Sequence, residues 1–549
     1  MAPRVAMRER LSLGFSSFTA LRESNAIYVD KTVAISELAT RHRQVLFTRP
    51  RRFGKTLLLS TLETLFRSGL AAFKGLSIAS QWNDRTYDVV RLDFSEIKEF
   101  SDLEAFERKL LGHLYAAFNP YGFDATALTQ RAFYRHLSAW LAARPVSSLV
   151  LLIDEYDAPM TRWLDDASKC EGACAILRAF FDILARHVQC FRFLYVTGIT
   201  RWSTSSSPLA TLNITDVSAD PTFSAIVGFT LEEINLYYSD FVKVAANLNK
   251  VTPDQLLVDL THFYGGYDFC GCGRKALIGP WSLLNLFNDH SSEFSNYWYQ
   301  SGDEPSVLVE HLHSHSRSHA FDFGELQTIP ERDLLLDTSD GSINLYALLQ
   351  QTGYLAIKAV DKRELVTLGF PNQEIAVSVA QLTLDVLAPG ARISAPGTQT
   401  NRDLLLMGDF NEWLRRLNRF LQVQTESSDQ PPTFLLVDAA SSLSFLRFWI
   451  LLSATTPPIR VHRGDHQTGL RVEIGSTECL LEIKSGQALS SHSPQLDSNW
   501  PAPLEATLKP DEQEVKSHRI CFIYDVAKHK FAKVPCEPYC IEDCELDLN

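Results

Sequence analysis

The sequence predicts an α/β chain built on a doubly wound parallel sheet, and three observations carry that expectation. Apolar strand patterns alternate with helical ones from Tyr28 to about Phe193. The triplet Gly54-Lys55-Thr56 stands between the apolar run Gln44-Val45-Leu46-Phe47 and the helical run that starts at Leu57. Two adjacent carboxylates, Asp154 and Glu155, end another apolar strand. The expected strands are 45–47, 89–94, 149–153 and 191–196, and the intervening helices 56–66, 103–118, 132–141 and 173–187. Strands separated by helices pack as a parallel sheet covered on its faces. Right-handed crossovers then bring the loop after Phe47 and the loop after Ile153 to one edge of that sheet.

The first of these loops reads Arg49-Pro50-Arg51-Arg52-Phe53-Gly54-Lys55-Thr56. A strand, a loop and a helix start is the setting in which backbone N–H groups and the positive helix end hold phosphate. Arg52, Phe53, Gly54, Lys55 and Thr56 are the candidates for nucleotide binding. Lys55 would reach the β/γ oxygens, and the Thr56 hydroxyl would ligate Mg²⁺. Asp154 is the second candidate for the Mg²⁺ sphere, and Glu155 for orienting and deprotonating an attacking water. Taken alone, Gly-Lys-Thr arises by chance and an Asp-Glu strand end is an ordinary solvated edge. Their order, each behind an apolar strand, makes them one expected site for ATP and Mg²⁺, with hydrolysis as its chemistry.

One position departs from the usual loop. Where a glycine normally opens it, this chain has Arg49. Arginine cannot take positive φ cheaply, so the loop is expected to enter as an extended Arg-Pro step. Arg51 and Arg52 have two readings, phosphate contact or charge that steadies a neighbouring element. The fourth strand ends in Thr197-Gly198-Ile199-Thr200-Arg201, where Thr197, Thr200 and Arg201 are candidates for sensing the γ-phosphate, against a plain exposed loop.

At 549 residues the chain is too long for one core, and two or three domains are expected. A net charge of −13 excludes a surface coated in positive potential, so nucleic-acid contact would need local basic patches. Ten cysteines and no apolar segment behind the basic residues 1–10 point to reduced thiols in an intracellular, cytoplasmic protein. Cys536, Cys540 and Cys544 lack the tighter spacing or added histidine of a metal site and read as plain thiols. The apolar stretch 443–454 contains Arg447 and falls far below the ~18–20 residues that span a bilayer, so a soluble chain with no membrane partner is expected.

Past Phe229 the texture changes. Residues 231–248 read as a helix, and Tyr264-Gly265-Gly266-Tyr267-Asp268-Phe269 reads as a packed corner. Residues 345–352 form a helix ended by Gly353, with a strand behind it. Stretches 389–400 and 427–432 read as linkers. In Glu478-Cys479-Leu480-Leu481-Glu482-Ile483-Lys484, strand periodicity puts Glu482 and Lys484 on one face. Such a pair binds a divalent ion in nucleases, or is an ordinary exposed pair.

The segments Tyr28-Val29-Asp30-Lys31-Thr32, Arg49 to Thr56, Leu92-Asp93-Phe94-Ser95 and Ile153-Asp154-Glu155-Tyr156-Asp157 together resemble the AAA-ATPase-like family. These are P-loop proteins often joined to a C-terminal nuclease-like domain. The resemblance continues through the Thr197–Arg201 and Tyr264–Phe269 segments, Tyr297-Trp298, Gln351-Thr352-Gly353-Tyr354-Leu355 and Leu368-Gly369-Phe370-Pro371-Asn372. It implies that the Arg49-opened loop is the family's normal form. It also implies a P-loop NTPase domain over 1–225, a mainly helical middle region over 226–390, and an α/β restriction-endonuclease-like PD-(D/E)XK domain over 391–549. In that last domain Glu482 and Lys484 match the Glu-x-Lys element. Val472 stands where the metal-binding Asp would fall, with Asp465 and Glu473 out of register. The preceding helix, 441–452, has no carboxylate. A degenerate nuclease is therefore expected, serving to dock DNA or a protein partner. Three functions stand open: a Mg²⁺-dependent ATPase that moves the C-terminal module, an ATP-driven switch or scaffold with little turnover, and an ATPase-gated nuclease.

Overall fold

The computed structural model describes residues 10–125, 130–164, 166–273, 276–298, 326–338, 343–387, 404, 409–426, 446–447, 449–450, 459–463, 469–474, 477–485, 516–525 and 530–534. The expected linkers at 389–400 and 427–432, most of the expected helix at 441–452, Asp465, and Cys536, Cys540 and Cys544 lie outside the described residues. The chain divides into two compact units, Met1–Leu308 with Leu326–Ile375, and Val309–Glu325 with Ala376–Asn549.

The first unit opens with α1 (Phe18–Glu23), α2 (Thr32–Arg41), β1 (Gln44–Thr48), α3 (Lys55–Ser68), β2 (Asp88–Asp93), α4 (Leu103–Phe118) and α5 (Gln130–Ala142). It continues with β3 (Leu149–Asp154), α6 (Ala158–Thr161), α7 (Ala167–Arg186), β4 (Phe191–Gly198) and β5 (Thr215–Asp216). The strands form one sheet in the order β2-β3-β4-β1-β5, parallel throughout. All six residues of β3 are buried. A strand covered on both faces reads as a continuous apolar run, as β3 does up to Asp154, whereas the edge strand β2 carries Arg91 and Asp93 among its apolar residues. The four expected strands and their helices are all present. The fifth strand is two exposed residues, Thr-Asp, with no apolar pattern to announce it. Because β4 lies between β1 and β3, the loops that follow β1 and β3 open at one edge, on either side of the β4 tip.

Four helices follow: α8 (Leu231–Tyr237), α9 (Ser239–Asn249), α10 (Pro253–Tyr264) and α11 (Pro280–Asn288). The single helix expected over 231–248 is two helices. Tyr238 leaves helical geometry at φ −119°, ψ 19°, and its ring is buried against Phe229, Phe241 and Phe287. Burial of a large aromatic side chain outweighs one turn of helix continuity here. The middle region also holds an antiparallel sheet of β6 (Gln327–Pro330), β7 (Ala356–Val360) and β8 (Leu365–Gly369) in the order β6-β8-β7; β7 is the strand expected behind Gly353, while β6 and β8 were not expected. Between β6 and β7 runs α12 (Leu345–Thr352), ended by Gly353 at φ 91° as expected.

The Gly265-Gly266 corner is packed, as its composition predicts. Gly266 sits at φ 82°, and a Cβ there would lie 2.0 Å from the Pro371 carbonyl oxygen. The Asn372 side chain donates to the Gly265 carbonyl (2.7 Å) and accepts from the Ile375 N–H (3.0 Å), which caps α13 (Gln373–Leu387).

Cys170, Cys174 and Cys190 are buried free thiols. Cys270 and Cys272, however, are joined in a disulfide, so the expectation of reduced thiols fails at this pair. The intervening Gly271, at φ 63°, folds the chain back until the two Cα atoms are 5.3 Å apart, within disulfide reach.

The second unit contains α14 (Phe410–Glu426) and the strands β9 (Ile459–Arg463), β10 (Gly469–Ile474), β11 (Thr477–Ser485), β12 (Lys516–Asp525) and β13 (Lys530–Val534). Their order is β13-β12-β11-β10-β9, with β11–β12 parallel and the other pairs antiparallel. Glu482 and Lys484 lie two residues apart on β11, in register with Cys521 and Ile523. Among the described residues no helix is long and apolar enough to cross a membrane.

Candidate functional site

The loop after β1 is shaped by packing rather than by an opening glycine. Arg49 continues the sheet ladder, its N–H donating to the Gly198 carbonyl at 3.2 Å. The turn is made later, at Arg52 (φ 67°) and Gly54 (φ 96°). Each arginine of the loop is held differently. The buried Arg49 guanidinium donates to the carbonyls of Thr48 (2.8 Å), Ser218 (2.7 Å) and Ser224 (3.1 Å). It lies between the rings of Phe47 (4.5 Å) and Phe269 (4.2 Å). Burial pulls its pKa down to about 9, so it stays charged at neutral pH.

Arg52 stacks over Trp281 at 4.9 Å and donates to the Trp298 carbonyl at 3.3 Å. These contacts offset the roughly 1 kcal/mol or more that a non-glycine residue costs at positive φ. Phe53 is buried edge-on to Tyr267 (4.9 Å) and Phe269 (5.2 Å), so the packed corner buttresses the loop from behind.

The chemistry-bearing residues meet at the edge the topology predicts. Thr56 opens α3 beside the end of β3 at Asp154, and Lys55 Nζ donates to the Pro50 carbonyl at 3.1 Å. Glu155, at φ 47°, turns the chain out of β3 and donates its N–H to Asp154 Oδ1 (3.1 Å). Burial raises the pKa of Asp154, opposed by Lys55 and Thr56. Burial also raises that of Glu155, opposed chiefly by Lys55. Burial lowers that of Lys55, opposed by Glu155, Asp154 and Asp157. Desolvated charges of both signs thus face one another across the loop.

Above them opens a cavity of about 510 Å³, the size of a small-molecule site. Its polar lining is Arg51 to Thr56, Glu155, and Ser95 and Lys98 from the segment after β2. Its apolar lining includes Ile27, Val29, Phe229, Tyr238 and Leu284, all members of one core cluster. Cationic side chains thus stand beside an apolar patch in one cavity. At its rim Lys31 is paired with Glu233 (2.6 Å).

Asp157, which motif spacing alone did not single out, organises the β4 tip. Its carboxylate accepts the N–H groups of Ile199 (3.2 Å) and Thr200 (2.6 Å) and the Thr200 hydroxyl. A Cβ on Gly198 would come within 2.3 Å of it, so only glycine fits there. The one sequence signal was its place in the Ile153 to Asp157 segment. Thr197 donates its hydroxyl to the Phe47 carbonyl at 2.7 Å. Arg201 stands apart from the large cavity, its guanidinium 3.8 Å from Asp216 and its N–H on Gln351 Oε1 (2.7 Å). It lines a smaller cavity with Thr48, Arg49 and Gln351. The structure therefore brings together Arg52, Phe53, Gly54, Lys55, Thr56, Asp154 and Glu155, with Arg201 behind the loop. Glu482 and Lys484 belong to the second unit.

Comparisons with known proteins agree with this geometry. A family model described as predicted AAA-ATPase matches residues 12–206, which take in the whole loop, Asp154, Glu155 and Arg201. The chain is also similar to the "Uncharacterized protein in vnfD 5'region" of Azotobacter chroococcum mcd 1. The two are 30% identical over 414 residues, 73% of this chain and 75% of that protein. The chain belongs to the predicted AAA-ATPase-like family. In this AAA-ATPase-like chain the cavity lining extends past the matched residues, since Phe229, Tyr238, Trp281 and Leu284 all follow residue 206.

The wall that holds Arg52 contains a buried acid. Glu374 accepts from the Ser282 hydroxyl (2.7 Å) and the Trp298 N–H (2.8 Å), and burial pushes its pKa up to about 8. A carboxyl whose folded pKa is raised stabilises the fold fully below its ordinary value of 4.5, and loses that contribution as pH rises through about 8. Glu374→Gln is therefore expected to flatten the pH dependence of urea unfolding between about pH 5 and 8, removing a slope worth at most roughly 4–5 kcal/mol over that window. A slope unchanged from wild type contradicts the assignment.

Proposed function

We propose that this protein binds ATP with Mg²⁺ and hydrolyses it. The observation that carries the reading is that Lys55, Thr56 and Glu155 line one cavity of nucleotide size, at the sheet edge where β3 ends in the buried Asp154. Thr56 and Asp154 would hold Mg²⁺, which when bound neutralises charge on the β/γ oxygens. The N–H groups of Gly54, Lys55 and Thr56 at the start of α3 cradle phosphate. Lys55 exchanges the Pro50 carbonyl for phosphate oxygens. Glu155 orients the attacking water and takes its proton. Arg52 and Phe53 hold the loop in shape, and Arg201 acts on the β4 tip through Asp216 and Gln351. The switch reading, with little turnover, is less favoured because Glu155 lines the cavity as a base requires.

In this reading residues 1–225 are the ATPase region, 226–390 the region that closes the cavity, and 391–549 a nuclease-like module carrying Glu482 and Lys484. Val472, buried on β10, supports a module that docks DNA or a protein partner without cutting.

Phosphate release from ATP is expected to fall at least roughly 10²-fold in Lys55→Ala and in Glu155→Gln, with ATP binding kept in Glu155→Gln. A wild-type chain that binds ATP without turnover sinks the hydrolysis claim and brings the switch reading forward. In a DNA-cleavage assay with Mg²⁺ or Mn²⁺, Lys484→Ala is expected to change nothing. Metal-dependent cutting that this substitution abolishes would show a working nuclease.

A further inference from the structure

The corner that buttresses the loop from behind ends in a turn that carries two cysteines. Cys270 and Cys272 are joined by a disulfide, and both reach solvent. A second, independent hold shapes the same turn. The Asp268 carboxylate accepts the N–H groups of Cys270 (3.1 Å), Gly271 (3.0 Å) and Gly273 (2.7 Å). Its Oδ1 lies 3.3 Å from Cys270 Sγ. Gly271 presses on β7, where an added Cβ would come within 2.5 Å of Val360 Cγ2 and 3.3 Å of Ile357 Cγ2. Between Asp268 and Cys270 stands Phe269, whose ring lies against the Arg49 guanidinium at 4.2 Å and edge-on to Phe53 at 5.2 Å. The disulfide is thus one residue away from the ring that holds two members of the loop.

We propose that Cys270 and Cys272 form a reversible redox site, opened by a dithiol, and that its state sets how firmly Phe269 holds the loop. A thiolate of the dithiol attacks one sulfur of the pair. The S–S bond breaks, a mixed disulfide forms, and the other sulfur leaves and takes a proton. The reductant's second thiolate then attacks its own first sulfur. That closes the reductant's disulfide and releases the remaining cysteine, which is protonated, so two electrons and two protons pass to the pair. Access marks this pair, because exposed disulfides exchange, whereas Cys170, Cys174 and Cys190 are buried. The Asp268 hydrogen bonds do not involve the S–S bond. They keep the turn folded and the sulfurs close after reduction, which makes the closure reversible. The freed Cys270 thiol has Asp268 Oδ1 within reach as its acceptor. With the covalent hold gone, Phe269 is fixed on its Asp268 side alone. The effect on the loop follows from this geometry, and the effect on nucleotide affinity rests on the ATPase reading above.

The test holds the wild-type chain in mixtures of reduced and oxidised dithiothreitol, labels free thiols with a maleimide, and maps the labels by peptide mass. Hydrogen exchange of the loop amides and calorimetric titration of ADP are measured on the oxidised and reduced chains. A Cys270→Ser, Cys272→Ser double variant and Lys55→Ala run beside them. Cys270 and Cys272 are expected to gain label together in one transition, and to lose it on return to the oxidised mixture. Reduction is expected to speed exchange of the loop amides and to weaken ADP binding, each at least roughly 5-fold. The double variant should match the reduced wild type in every mixture, which assigns the effect to this pair among the ten cysteines. A pair that stays oxidised until the chain unfolds, or loop exchange unchanged by reduction, overturns the proposal. A reduced chain that takes up one equivalent of added Zn²⁺ and then resists labelling also overturns it, and assigns Asp268, Cys270 and Cys272 to a metal site. Where Lys55→Ala abolishes ADP binding, an affinity equal in the two redox states overturns the coupling to the nucleotide site. An oxidised wild type that binds no ADP sinks the ATPase reading, while labelling and loop exchange still decide the redox site.

Discussion

A buried guanidinium that has, among the described residues, no carboxylate as hydrogen-bond partner shapes the loop of the candidate site. Arg49 stands where a phosphate-binding loop ordinarily opens with glycine, and it is 2% exposed. Burying a cation is costly unless its donors are satisfied, and here main-chain carbonyls of Thr48, Ser218 and Ser224 take the Nη donors while the Phe47 and Phe269 rings lie against the guanidinium, although its buried Nε has no hydrogen-bond partner. The consequence is geometric. The end of β1, the segment beyond β5 and the Phe269 corner must all be in place before Arg49 can be buried. The loop is thus fixed by tertiary structure on the side away from the cavity, leaving its other side to line the cavity.

The same logic extends along the sheet edge. Asp157 gathers the N–H groups beyond β4, and Gln351 holds Arg201 from the other side through both its carbonyl and its N–H. Gly353 is needed because a Cβ at φ 91° would meet Pro50 at 2.9 Å, so the end of α12 rests directly on the loop. Trp298 accepts from Arg52 and donates to Glu374. A change in the loop therefore has a contiguous polar path to the buried acid at the start of α13, and hydrogen bonds rather than apolar contacts carry each step of it.

Much of this was legible in the sequence, for definite reasons. β3 is buried throughout and reads as an unbroken apolar run up to Asp154, while β1, β2 and β4 keep enough buried apolar residues to stand out from the helices between them. Gly54-Lys55-Thr56 and Asp154-Glu155 follow two of them, which located the site. The short β5 and the break at Tyr238 were not legible, because one carries no apolar pattern and the other is decided by where an aromatic ring is buried. The roles of Arg49 and Arg52 could not be separated in advance either. Their charge is alike, and only Phe269, Trp281 and Trp298, more than 200 residues away, distinguish them. Asp157 looked like one more acidic residue at a strand end until the β4 tip was folded against it. The Cys270–Cys272 disulfide depends on a local fold-back at Gly271 that composition does not encode.

In the proposed function Thr56 and Asp154 form the metal-facing pair of a nucleotide site whose loop is already shaped by its frame. Calorimetric titration of a non-hydrolysable ATP analogue, with and without Mg²⁺, into wild type and Thr56→Val tests it most directly. The account predicts that Mg²⁺ tightens binding to the wild type, and that Thr56→Val loses this gain while keeping the Mg²⁺-independent affinity. A gain from Mg²⁺ that survives the loss of the Thr56 hydroxyl, or equal weakening with and without the metal, would contradict it.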